Sequence, residues 1–139
     1  MSLVLDSSAT LAWIYAEETT EAIRRLFDRV AEEGAAVPAL WRLEVANGLA
    51  VGARRGRIAA ERGRAALADL AMLDIRVDPH TDAHAWGTTF ELAERFRLTV
   101  YDAAYLELAQ RRALALATLD ASLRRAGAAV GVSLLGVDG

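Results

Sequence analysis

The chain contains no cysteine, no lysine, two histidines and two prolines. Without cysteine there is no disulfide framework, no thiolate zinc site and no cysteine nucleophile. All sixteen basic residues are arginine, which excludes a P-loop, a Schiff base and lysine-assisted phospho-aspartate chemistry. His80 and His84 are too few for a histidine-rich metal site, and Pro79 sets the start of the following helix at Thr81, so the two do not share a helix face. No segment reaches the roughly 18 apolar residues a membrane span needs. The N-terminus lacks a basic region and Asp6 interrupts its first apolar run, so no targeting segment is read and a cytoplasmic protein is expected. A net charge of −3 argues against non-specific coating of nucleic acid and leaves room for a local basic patch.

What the chain does have is a high apolar content, 54% of 139 residues, enough for one domain over residues 1–139 with its own core. Short apolar runs alternate with longer helical ones. Leu3–Leu5, 35–37, Ile75–Val77, 114–119 and 132–135 read as strands. Helices are expected from Ser7 or Ser8 as N-cap, from Thr19 or Thr20 to Gly34, over 39–54, over 58–73, from Thr81 through Phe96, from Thr99, and briefly over 122–126. Strands separated by helices imply crossover connections, hence a mostly parallel sheet covered on both faces, an α/β fold. Sites in such sheets form at the carboxyl ends of strands. Two strands end alike, in Leu5-Asp6 and Leu119-Asp120, which places two carboxylates at one sheet edge.

Each acid also has a plain structural role open to it. Asp6 and Asp120 can cap helices, and Asp102 can complete a capping box with Thr99. Glu44, within the helix expected over 39–54, can pair with Arg42 or face solvent. Together, however, carboxylates at one strand edge repel, and some stay protonated unless a cation joins them. The ligands on offer are hard oxygens, which suit Mg2+ or Mn2+. An acidic cluster with such an ion is equipment for phosphodiester hydrolysis.

The ordered segments Val4-Leu5-Asp6-Ser7-Ser8-Ala9, Glu44-Val45-Ala46-Asn47, 100–109 (VYDAAYLELA) and Ala117-Thr118-Leu119-Asp120 resemble those of PIN-domain ribonucleases, and within them the VapC toxins of type II toxin–antitoxin pairs. The resemblance runs across nearly the whole chain. It implies a three-layer α/β/α sandwich with a parallel five-stranded sheet, and a Mg2+- or Mn2+-dependent endoribonuclease whose acidic quartet is Asp6, Glu44, Asp102 and Asp120. It further implies supporting roles for Ser8 and Thr118, an orienting role for Asn47, an RNA substrate, a small VapB-type antitoxin, a homodimer and hydrolysis that leaves the 2′-OH uninvolved. After Asp120 the segment Ala121-Ser122-Leu123 carries less charge than the resemblance leads one to expect, a difference that bears on RNA contacts.

Arg54, Arg55, Arg57, Arg62 and Arg64 form one possible phosphate-contacting patch, and Arg111, Arg112, Arg124 and Arg125 another; both also read as solvated helix surfaces. Gly48 and Gly52 suit close helix packing within the monomer or a homodimer. Trp13, Trp41 and Trp86 read as core or interface anchors. Three other functions compete: a PIN nuclease for RNA processing without a toxin role, a receiver domain with a phosphorylated Asp6, and an inactive partner-binding module. The missing lysine and the lack of a second acid beside Asp6 weigh against the receiver, and the intact quartet against the inactive module.

Overall fold

A computed structural model describes residues 3–138 of the chain. Five strands, β1 (Leu3–Leu5), β2 (Ala35–Val37), β3 (Ile75–Val77), β4 (Ala115–Ala117) and β5 (Leu134–Leu135), form one parallel sheet in the order β3-β2-β1-β4-β5. Among the described residues eight α-helices flank it: α1 (Ser7–Ile14), α2 (Glu21–Glu33), α3 (Trp41–Arg54), α4 (Ala60–Ala71), α5 (Thr81–Ala85), α6 (Thr88–Phe96), α7 (Val100–Arg112) and α8 (Ala121–Ala129). Helices α1–α4 pack among themselves, as do α5–α8, giving the three-layer α/β/α sandwich. β1 and β2 are wholly buried, so their near-continuous apolar sequence is what a strand covered on both faces requires.

Several element ends differ from the sequence expectation, each for a local reason. Asp6, rather than Ser7 or Ser8, caps α1, accepting a hydrogen bond from the Ala9 amide at 2.9 Å. The helix expected over 39–54 begins at Trp41, which places Glu44 in its first turn. The helix expected over 81–96 is two helices, parted at Trp86-Gly87; Trp86 is 97% exposed and packs on nothing that would hold the break straight, so it is no core anchor. Thr81 does not cap α5; its hydroxyl accepts from the Ala39 amide at 2.9 Å and faces the Asp78 carbonyl at 3.3 Å. β4 stops at Ala117, which frees Thr118 and Leu119 to turn into Asp120. α8 is longer than 122–126 and β5 shorter than 132–135.

The remaining tryptophans behave as expected. Trp13 stacks on Phe27 with centroids 4.5 Å apart. Trp41 is buried and donates from Nε1 to Thr10 Oγ1 at 3.1 Å, while Thr10 donates to the Asp6 carbonyl at 2.7 Å. This relay ties the start of α3 to the end of β1. Gly48 and Gly52 serve packing inside the monomer: a β-carbon on Gly48 would run into Leu11, and one on Gly52 would overlap the Tyr15 hydroxyl.

One buried ionic group locks α7 to the end of β3. Arg111 donates to Asp78 Oδ2 at 2.5 Å and to Glu107 Oε2 at 2.7 Å, and both carboxylates are almost fully buried. Burial alone would raise the Asp78 pKa, but the hydrogen bond and charge of Arg111 outweigh it and hold the carboxyl below its ordinary value. An acid held low stabilises the fold above its unfolded pKa and loses that contribution as the pH falls through its folded value. Replacing Arg111 with Ala strands two buried carboxylates, so we expect a loss of about 3 kcal/mol in urea denaturation at pH 7. That loss should shrink toward pH 3 and be partly recovered by adding Asp78→Asn and Glu107→Gln.

Candidate active site

Each of the four acids stands at the N-terminal end of a different helix. Asp6 caps α1, Asp120 caps α8, and Glu44 and Asp102 lie in the first turns of α3 and α7. Capping and site-building are therefore the same placement. The positive end of each helix dipole offsets part of the charge that a carboxylate brings there. Asp120 Oδ2 accepts from the Leu123 amide at 2.8 Å, and the Asp102 amide donates to Thr99 Oγ1 at 3.0 Å.

Asp6 and Asp120 follow β1 and β4, neighbours in the sheet, and the Asp6 amide extends their pairing by donating to the Ala117 carbonyl at 3.1 Å. Ser8 bridges the two strand ends. Its hydroxyl donates to Asp6 Oδ1 at 2.7 Å and accepts from the Leu119 amide at 3.0 Å. Thr118, fully buried, lies 3.4 Å from Ser8 Oγ and accepts from the Asp120 amide at 3.0 Å. These two hydroxyls fix both turns that present the acids.

The electrostatics show that the acids share one field. Asp6 is 3% exposed, and burial pushes its pKa up to about 6 against the pull of Thr118, the Ala9 amide and Ser8; Asp102 pushes it further up. Asp102 is raised as well, first by burial and then by the charges of Asp120 and Glu44. The charges acting on Asp102 are thus other carboxylates.

Glu44 is held by a residue that the sequence did not single out. Tyr105 donates its hydroxyl to Glu44 Oε1 at 2.6 Å from a position one turn after Asp102 on α7. Burial, then Glu44, drive the Tyr105 pKa far above its usual value, so the phenol stays a donor. The available signal was a hydroxyl three residues after Asp102, on the same helix face. Asn47 is exposed on α3 and makes no side-chain hydrogen bond among the described residues; the contact on Glu44 comes from Tyr105.

The arginines separate into working and free groups. Arg124 donates to the Thr118 and Leu135 carbonyls at 2.7 and 3.0 Å, bracing the ends of β4 and β5. Arg57 is bound by Glu17 and Glu18 at 2.9 and 2.8 Å. Among the described residues Arg125 meets only Ser122, and Arg54 and Arg55 are exposed at the end of α3. Among the described residues His80 and His84 join no metal-binding group.

A hard divalent cation fits this donor set by chemistry: the ligands are oxygens and their mutual repulsion lacks a counter-charge. Among the described residues no three acidic or histidine side chains converge tightly enough to ligate one ion directly.

Residues 3–129 match the model of the PIN domain family. The chain is 35% identical over 123 residues to "Ribonuclease VapC3" of Pyrobaculum aerophilum, an alignment that spans 88% of this chain and 92% of that one. It also resembles the crystal structure of PAE2754 from Pyrobaculum aerophilum, with a TM-score of 0.68 at 25% identity, over 91% of this chain and 84% of that one.

The raised pKa of Asp6 carries a stability cost. The folded state holds the proton more tightly than the unfolded chain, so between about pH 4 and 6 stability falls as pH rises. Asn caps a helix as well as Asp and has no charge to bury. In metal-free protein Asp6→Asn should raise stability at pH 7.5 by about 2–3 kcal/mol in urea denaturation, and the gain should vanish near pH 4. Tyr105→Phe should leave the melting temperature within a few degrees while weakening Mn2+ binding, read by calorimetry, several-fold.

Proposed function

The chain belongs to the PIN-domain family, in its VapC ribonuclease branch, and we propose that it is the toxin of a VapBC-type pair, a Mg2+- or Mn2+-dependent endoribonuclease acting in the cytoplasm. The observation that supports this reading is the electrostatic coupling of Asp6, Glu44, Asp102 and Asp120 at the carboxyl edge of the sheet, where the charges that raise Asp102 are those of other carboxylates. Asp6, Glu44, Asp102 and Asp120 would hold the ion, directly or through water. Once bound, the ion supplies a charge for the phosphate oxygens and the leaving oxygen and acidifies the attacking water.

The chain does the rest. Ser8 and Thr118 keep Asp6 and Asp120 aimed from their turns, and Tyr105 keeps Glu44 from rotating away. Burial raises the Asp6 carboxyl to about 6 in the metal-free chain, so it is largely ionised, and ready to take a cation, at neutral pH. The helix N-termini around the acids favour a phosphodiester anion as much as they favour carboxylates. Arg54, Arg55 and Arg125, exposed and in no ion pair among the described residues, would be available to the flanking RNA backbone.

The same reading assigns a small VapB-type antitoxin as partner and a homodimer as assembly. The exposed apolar side chains of Leu43, Met72, Trp86 and Phe90 supply contact surface for such partners. Among the described residues no helix is long and apolar enough to cross a membrane.

Purified protein free of antitoxin should cut a structured RNA pool with Mg2+ or Mn2+ and lose the activity in EDTA. Asp102→Asn, checked for folding, should lose about 100-fold or more. Activity should fall as pH drops through about 6, where Asp6 takes up its proton, and excess metal should move that limb to lower pH. Cleavage that persists in EDTA would contradict the reading.

A further inference from the structure

A groove of about 470 Å3 begins at Ser8 and Asp120 and runs between α1 and α3 to Arg55, Arg57 and Glu18. Leu11, Tyr15 and Val51 give it apolar surface, and Gly48 and Gly52 lie on its α3 side, where they let Leu11 and Tyr15 pack close. Its volume falls within the range of about 300–1,000 Å3 of small-molecule sites. One end carries Asp120, one of the four site acids, and the other carries Arg55 and Arg57 beside Glu18, a placement suited to a phosphodiester chain with one phosphate near the acids and another on an arginine farther along.

Arg57 at the far end is placed by three contacts. Its amide donates to the Gly52 carbonyl at 2.8 Å, and its guanidinium lies 4.2 Å from the centroid of the Tyr15 ring. One terminal nitrogen bonds both Glu17 and Glu18. Two carboxylates on one guanidinium exceed what charge balance needs, and all three side chains stand roughly half in solvent, where such pairs are weak and exchangeable. A phosphodiester presents the same paired, singly charged oxygens to a guanidinium as a carboxylate does.

We propose that this groove is the path of the RNA strand beside the scissile phosphate, and that Glu17 and Glu18 occupy the place of an RNA phosphate on Arg57 until the strand displaces them. The inference rests on the ribonuclease reading above. Tyr15 and the Gly52 carbonyl keep Arg57 aimed into the groove whichever anion it holds. Glu17 and Glu18 lie on one short 3₁₀ turn, Ala16–Glu18, so both can leave together. Free protein then offers weak RNAs a screened arginine and yields it to a strand that also engages the acid end.

The test is binding of a fluorescent single-stranded RNA oligonucleotide in EDTA, where cleavage does not intervene. Glu17→Gln with Glu18→Gln should bind about three- to tenfold tighter, with a steeper loss of affinity in salt. Arg57→Gln alone should weaken binding, and added to the double variant it should abolish the gain. Circular dichroism confirms that each variant is folded. A double variant that binds no tighter, or a gain that survives removal of Arg57, overturns the proposal. Metal-dependent cleavage by the wild type, measured alongside, separates the two readings: if it is present while the double variant binds no tighter, only this inference fails.

Discussion

The parallel pairing of β1 with β4 is the constraint on which the rest depends. The sheet runs outward from β1 through β2 to β3, then returns to place β4 on the other side of β1, so the strand order reverses between β1 and β4. Loops leaving the carboxyl ends there diverge and open a crevice. The register Leu3↔Ala115, Val4↔Leu116, Leu5↔Ala117 sets Asp6 and Thr118 side by side at its mouth. A slip of one residue would turn every side chain of a wholly buried strand to the other face, so core packing enforces the register that the site needs. Ser8, which spans from Asp6 to the Leu119 amide, has meaning only in that register.

Around this crevice the fold accepts electrostatic conflict that it avoids elsewhere. Glu107 and Asp78 are as buried as Asp6, but Arg111 joins them and Asp78 is held below its ordinary pKa. Asp6 and Asp102 lack such a partner and are raised instead. The two groups sit at different points of one helix: α7 carries Asp102 in its first turn, Tyr105 in its second and Glu107 and Arg111 farther on. Its far end is anchored by a satisfied ionic group so that its near end can carry an unsatisfied one. Four helix N-termini make that tolerable, each lending partial positive charge to one acid.

Much of this was legible in the residues. Strands ending in Asp6 and Asp120 announced a shared edge, and Thr99 announced the start of α7 through its bond to the Asp102 amide. The choice posed between capping and site-building was not a true alternative, because in a parallel sheet the turn after a strand is also the entry to a helix. What sequence could not yield were contacts between residues far apart in the chain. The hydroxyl of Tyr105 on Glu44 spans 61 positions, and Arg111 on Asp78 spans 33. Arg57 and Arg124 read as free basic surface until Glu17, Glu18 and the strand-end carbonyls are seen around them. The helix expected over 81–96 failed for a local reason, a glycine beside a tryptophan with nothing to pack on.

This edge gathers carboxylates that raise one another's pKa, the condition that the proposed divalent cation would relieve. Carbon-detected NMR titration of the Asp6 and Asp102 carboxyl groups, with and without Mg2+, addresses it most directly. The account predicts a metal-free Asp6 midpoint near pH 6, an Asp102 midpoint above the ordinary aspartate value, and a fall of both on adding Mg2+. Midpoints near pH 4 that Mg2+ leaves unmoved would contradict it.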